Sequence, residues 1–103
     1  MRTMKLRFTP EAARLISNLH PESKKLIRAA LDELRSNPFL GAPLESELRG
    51  YRSLKAKRYR VVYKVNEEEG LIDILYVGHR RSVYEEFRQL LIILKKDQDT
   101  SKS

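Results

Sequence analysis

The chain has no cysteine and no tryptophan, and only two histidines, His20 and His79, among its 103 residues. Without thiols there are no disulfides, thiolate nucleophiles or cysteine-built zinc sites, and two isolated histidines make a poor metal cage, so neither metal nor cofactor is expected. Long apolar runs are also missing. The longest, Leu90 to Leu94, falls far short of the roughly 20 residues a membrane span needs. No apolar stretch near the N-terminus leads to a small-residue cleavage site, so no secretory leader is expected and the cytoplasm is the expected compartment. At this length the chain has room for one core, which excludes tandem domains and repeat solenoids.

What the chain does have is positive charge, concentrated in one place. The formal net charge is +7, from 21 Lys and Arg against 14 Asp and Glu. Seven basic residues (Arg49, Arg52, Lys55, Lys57, Arg58, Arg60, Lys64) lie between Arg49 and Lys64 with no acidic residue among them, so the remainder of the chain is neutral. A cluster of this density commonly meets phosphate, because each neutralised phosphate releases counterions and the field steers polyanions inward. The alternative is a solvated surface that keeps the protein soluble.

Hydropathy patterning divides the chain into alternating elements. Leu6 and Phe8 alternate with Lys5 and Arg7, which predicts a short strand from about Thr3 to Phe8. Thr9-Pro10-Glu11 reads as N-cap, first helical residue and dipole-matched acid, opening a helix to about Leu19. His20-Pro21-Glu22 repeats the signal for a second helix with Ile27, Ala30, Leu31 and Leu34 on its apolar face, stopped by Asn37-Pro38. Residues 37–47 read as a surface loop. From residue 52 the period becomes two: strands over 52–56, 59–65 and 71–77, with Lys57-Arg58 and a turn ending at Gly70 between them. Val83, Phe87, Leu90, Leu91 and Leu94 then share one face of a final helix, and a polar tail over 97–103 is expected to be disordered. The order β-α-α-β-β-β-α describes a single α+β domain over 1–96, a helical hairpin packed on a small, mainly antiparallel sheet, with a C-terminal helix.

The basic hairpin lies beside a second cluster, His79-Arg80-Arg81, at the end of the last strand. If Lys55, Arg60 and Arg80 converge they form a site for a phosphodiester. Tyr84, four residues past Arg80, can point a phenol back into the same site. In RNA, the ribose 2′-hydroxyl can attack the adjacent phosphorus and leave a 2′,3′-cyclic phosphate and a free 5′-hydroxyl, with neither metal nor protein nucleophile. Such a reaction needs a base, fixed cations for the phosphorane and an acid for the leaving oxygen. Lys55 or His79 is the candidate base, Tyr84 the candidate acid, and Arg60 and Arg80 the cations, while Arg49, Arg52, Lys57, Arg58, Lys64 and Arg81 are candidates to hold the RNA. No carboxylate trio for a magnesium nuclease is evident: Glu67 to Glu69 fall in a turn, and Glu85 and Glu86 in a helix. Tyr59 and Tyr63, spaced by two in a strand, read as packing rather than as base-stacking platforms, and His20 as a helix-start residue.

The run Leu48-Arg49-Gly50-Tyr51, then Leu54-Lys55, Tyr59-Arg60-Val61-Val62-Tyr63 and Val77-Gly78-His79-Arg80-Arg81-Ser82-Val83-Tyr84 resembles the RelE/ParE superfamily of toxin–antitoxin toxins. The resemblance implies a RelE-like fold and, for the RelE branch, cleavage of mRNA on the ribosome, which inhibits translation and growth. It assigns Arg60 to the scissile phosphate, Arg80 to the arginine after the last strand, Tyr84 to positioning or acid–base work, and Lys55 to one of two strand lysines. The other lysine position carries Ser53 here, and His79 is the candidate to take over base duty. The resemblance also implies an antitoxin partner whose acidic or amphipathic helix covers the basic site in a hetero-oligomer. ParE-type members share the fold and inhibit DNA gyrase instead, and an inactive antitoxin- or RNA-binding module is a third reading.

Overall fold

The computed structural model describes the backbone of residues 3–100 and the side chains of residues 3–96. Strand β1 (Lys5–Phe8) leads to helix α1 (Pro10–Ser17), where Thr9 Oγ1 accepts the Ala12 N–H at 3.1 Å as N-cap. Helix α2 (Pro21–Ser36) starts on Pro21 after His20 and ends at Asn37. The two helices form the expected hairpin. Strands β3 (Arg52–Ala56), β4 (Tyr59–Asn66) and β5 (Leu71–His79) make an antiparallel meander, and helix α3 (Val83–Thr100) closes the fold. The helix continues through Thr100, past the point where a polar tail was expected to begin. The rest of that tail, 101–103, lies outside the described residues.

Two features add to the expected order. The segment 37–47 contains a two-residue strand β2 (Ala42–Pro43) on the outer edge of β3 and the start of a 3-10 turn, Ser46–Leu48. Strand β1 pairs parallel with β5, giving a five-stranded mixed sheet in the order β1-β5-β4-β3-β2. Arg7 on β1 secures this parallel pair through an ion pair to Asp73 at 2.5 Å.

Each face of the sheet has its own core. One face carries Leu54, Ala56, Val61, Tyr63, Ile72, Ile74 and Val77 against Ala12, Ile27, Leu31 and Leu34 of the helical hairpin. The opposite face carries Val62 against Leu48 of the 3-10 turn and Val83 and Phe87 of α3, with Tyr51 edge-on to Phe87 at 5.0 Å. Tyr63 is fully buried. Its hydroxyl donates to Pro38 O at 2.8 Å and accepts the Gly41 N–H at 3.0 Å, tying the loop after α2 to the middle of the sheet. Gly41 has to be glycine here, because a Cβ would sit 2.6 Å from Ser53 O and 2.8 Å from the Tyr63 hydroxyl. Tyr59, bonded to Ser23 Oγ at 3.1 Å, also packs into the first core, so both strand tyrosines serve packing.

Candidate active site

The hairpin register decides what shares the α3 side of the sheet. The two-residue connection Lys57-Arg58 pairs Ala56 with Tyr59, which sets Lys55 opposite Arg60 and Ser53 opposite Val62. Lys57 takes a left-handed φ of 54° to close so short a turn. Across the next pair, Arg60 faces Gly78 and Val62 faces Tyr76. One sheet face therefore carries Ser53, Lys55, Arg60, Val62, Tyr76 and Gly78 side by side.

Lys55 and Arg60 are the conspicuous pair. Directly opposed cross-strand residues have Cβ atoms about 4.5–5.5 Å apart, and like charges there repel. No ion pair neutralises either of them, or Arg80, among the described residues. The Arg60 guanidinium instead turns back on the hairpin, where one nitrogen donates to the Lys57 and Tyr59 carbonyls, both at 2.8 Å. A local arrangement that opposes stability in this way is characteristic of a site kept for an anion.

Tyr84, in the first turn of α3, reaches across to β3, where its phenol and the Ser53 hydroxyl are 2.8 Å apart. Ser53 is only 7% exposed and fixes the phenol next to Lys55. The position that departs from the family's lysine pair thus holds a tyrosine in place. Sequence spacing alone offers no sign of this contact.

His79 is not brought to the other candidates. Tyr63 pairs with Ile74 while Val62 pairs with Tyr76, so Leu75 is an extra residue in β5, a bulge. One inserted residue reverses which face every later side chain occupies. His79 thereby pairs with Tyr59 on the helical-hairpin side, ring edge to ring at 6.3 Å, and its Nδ1 accepts the Arg81 N–H at 3.3 Å. Arg80 follows the strand in a turn, and a 2.7 Å bond from its N–H to Arg58 O ties its backbone to the hairpin. The candidate base His79 therefore stands across the sheet from Lys55, Arg60 and Tyr84.

The wider basic set divides as well. Arg52 lies on the hairpin side opposite Tyr63, and its guanidinium is spent on Gly41 O (2.6 Å) and Phe39 O (3.2 Å), above the Phe39 ring. It clamps the loop after α2. Arg49 follows the 3-10 turn, beside Arg88 and Ile92 of α3, and Lys64 sits opposite Asp73, about 13 Å along β4 from Arg60. Arg58 lies over the Tyr59 ring at 5.6 Å, leaving exposed Lys57 and Arg81 at the rim of the site.

Two phenols depart from ordinary behaviour. Burial, reinforced by the Glu86 and Glu11 carboxylates, pushes Tyr76 up. The Ser23 hydroxyl, helped by Arg58, pulls Tyr59 down. The Glu86 Oε1 also lies 3.0 Å from where a Cβ on Gly78 would stand, so this α3 carboxylate rests on the same sheet face. Among the described residues, no cluster of three or more His, Asp or Glu side chains is arranged to hold a metal, and no helix is long and apolar enough to cross a membrane.

Known proteins share this architecture. A family model described as the ParE toxin of the type II toxin–antitoxin system parDE matches residues 6–84. Toxin RelG of Mycobacterium tuberculosis is 33% identical over 81 residues, covering 77% of this chain and 93% of the relative. Toxin RelE of the same organism is 32% identical over 80 residues, covering 75% of this chain and 81% of the relative. Among solved structures, the toxin–antitoxin complex RelBE2 from Mycobacterium tuberculosis matches with a TM-score of 0.70 and 33% identity, covering 78% of this chain and 94% of the other. The intact RelBE toxin–antitoxin complex of E. coli shares the fold, with a TM-score of 0.66 at 22% identity over 74% of this chain and 95% of the other.

Proposed function

The chain belongs to the RelE/ParE superfamily of type II toxin–antitoxin toxins, and from that premise we propose that it arrests growth by cutting mRNA on the ribosome in the cytoplasm. The observation that carries this reading is the unneutralised Lys55–Arg60 cross-strand pair beneath a phenol anchored by Ser53. Arg60, released from the hairpin carbonyls, swings to the scissile phosphate. Together with Arg80 and Lys55 it stabilises the charge that develops on the phosphorane, a role in which loss of one fixed donor typically costs about 10²–10³ in rate. The 2′-hydroxyl attacks phosphorus, the bond to O5′ breaks, and the Tyr84 phenol supplies the proton to the leaving oxygen. Lys55, the candidate base on this face, takes the 2′-hydroxyl proton as an amine and meets the phosphorane as an ammonium. Lys57 and Arg81 extend the track along the RNA backbone.

The partner is an antitoxin, as in the RelBE complexes that share the fold. An acidic segment complements the Lys55–Arg60 face, and an apolar one complements exposed Ile92, Ile93 and Leu94 on α3. The ParE description of the matching family model favours one other reading, a toxin that inhibits DNA gyrase. Expression in bacteria followed by mapping of transcript ends separates the two. The nuclease reading expects cuts inside translated codons that vanish in Arg80→Ala. Intact transcripts accompanied by cleaved plasmid DNA would establish the gyrase reading in its place.

A further inference from the structure

The outer edge of the sheet is closed only in part. The segment through β2 supplies its first rungs: Leu44 N–H donates to Tyr51 O at 2.9 Å, and Ala42 pairs with Ser53. The next rung, two residues on, falls at Lys55, and the chain leaves before reaching it. Leu40, which would stand opposite Lys55, gives its N–H to Asn37 O at 3.1 Å, and Gly41 gives its own to the buried Tyr63 hydroxyl at 3.0 Å. On the inner side, the two-residue hairpin makes Ala56 and Tyr59 a hydrogen-bonded pair, so in the alternation of an antiparallel ladder the N–H and C=O of Lys55 point away from β4. Both are open to a further strand.

We propose that this edge takes an extended segment of the antitoxin in which an acidic residue stands between two aliphatic ones; this rests on the antitoxin partner given above. A strand that continues the line of β2 runs antiparallel to β3. Its residue opposite Lys55 exchanges two backbone bonds with it and sets its side chain on the α3 side, beside that of Lys55. Lys55 and Lys57 are exposed, and neither is in an ion pair among the described residues, so a carboxylate is the complement at this position. The two flanking residues point to the other face, over a groove of about 500 Å³ between β3 and α2. Leu26, Ala29, Ala30 and Leu40 give that groove its apolar lining, and the two alanines leave room for branched aliphatic side chains. Glu33 also lines it, two turns of α2 beyond Leu26, which borders Lys57 and Arg58, so the acid belongs at the Lys55 end.

The same features disfavour other occupants. A second copy paired antiparallel about this rung would set Lys55 against Lys55, and directly opposed like charges repel. A polynucleotide brings phosphate oxygens and no amide N–H to the Lys55 carbonyl. Lysines on an exposed edge also turn away neutral strands, so the edge selects an acidic one. On the nuclease reading, a carboxylate held against Lys55 takes the candidate base out of the reaction, and docking on this edge is itself inhibitory.

The test is amide NMR and hydrogen exchange on the isotope-labelled full chain with short capped peptides. One peptide carries glutamate between two valines with serines outside, a second has the glutamate amide N-methylated, and a third has lysine in place of the glutamate. The first is expected to slow exchange of the Lys55 N–H by about tenfold or more at saturation and to bind about tenfold tighter than either control. Ala29→Phe, at an exposed position in the groove, should weaken that binding about tenfold with the melting temperature unchanged. Equal binding by the N-methylated peptide, or an unchanged Lys55 N–H, overturns the inference. Protection of that N–H in the chain alone, growing with its concentration, would make a second copy the occupant and overturn it too. The purified complex with the cognate antitoxin should protect the same N–H. A complex that forms while the Lys55 N–H exchanges as in the free chain overturns the inference and leaves the antitoxin partner standing. Failure to form any complex refutes the partner and the inference with it.

Discussion

If Ser53 acts only by holding Tyr84, the two side chains must behave as a unit in stability and in rate. The hydroxyls are 2.8 Å apart, with Ser53 only 7% exposed and Tyr84 half-buried. Ser53→Ala removes one bond and leaves a phenol that still reaches water, a cost of about 0.5–1.5 kcal/mol. Tyr84→Phe leaves the more deeply buried serine hydroxyl without its partner and costs about 1–3 kcal/mol. The double variant loses the bond once, so its cost falls short of the sum of the single costs by about 1 kcal/mol. Equilibrium urea unfolding of the four proteins measures this coupling directly, and each kcal/mol shifts the melting temperature by about 4–8 °C in a domain of this size. In single-turnover cleavage, Tyr84→Phe loses about 10²–10⁴ in rate and Ser53→Ala about tenfold through a misplaced phenol. Ser53→Ala added to Tyr84→Phe then has no further effect. A double variant slower than Tyr84→Phe by the full Ser53→Ala factor would refute the positioning role, as would additive stabilities.

The remaining predictions concern the scaffold and its charge. Tyr63→Phe strands the buried Gly41 N–H and frees Pro38 O, and is expected to cost about 2–4 kcal/mol in urea unfolding while leaving the Lys55–Arg60 face in place. Tyr76 ionises above its ordinary value of 10.0 in the folded chain, chiefly through burial, so its contribution is complete below that value and is lost as pH rises through the raised one. Tyr59, lowered chiefly by the Ser23 hydroxyl, works the other way and adds stability as pH rises through its lowered value. Tyr76→Phe should therefore reduce the alkaline loss of stability relative to wild type, and Tyr59→Phe should enlarge it, as urea unfolding across that range will show. Binding to single-stranded RNA should weaken with salt, and Lys57→Ala should lower the log–log slope by about 0.7, whereas Arg52→Ala, whose guanidinium is committed to the loop, should leave the slope unchanged.

Local patterning revealed much of this architecture, and its failures have identifiable causes. Caps, prolines and period-two runs located the helices and the meander because those signals lie within a few residues of one another. The strand β2 is two residues long and ends in proline, too short for any period to register, and the parallel pairing of β1 with β5 joins positions 66 residues apart, as in Arg7 with Asp73. Basic charge pointed to Lys55, Arg60 and Arg80, and the two-residue hairpin joins the first two across the strands. The face that His79 takes depends on the extra residue at Leu75, and no residue type in that apolar run announces a bulge. Arg52 resembles its basic neighbours in sequence; only the fold shows that the Phe39 and Gly41 carbonyls occupy it.

The central claim is that the Lys55–Arg60 face cleaves RNA by 2′-hydroxyl attack, and the chemistry of the product ends tests it most directly. Purified protein and ribosome-bound mRNA should yield a 2′,3′-cyclic phosphate on the upstream fragment and a 5′-hydroxyl on the downstream one, with the rate falling by about 10²–10³ in Arg60→Ala. Ends carrying a 5′-phosphate, or undiminished cleavage by Arg60→Ala, would contradict the account.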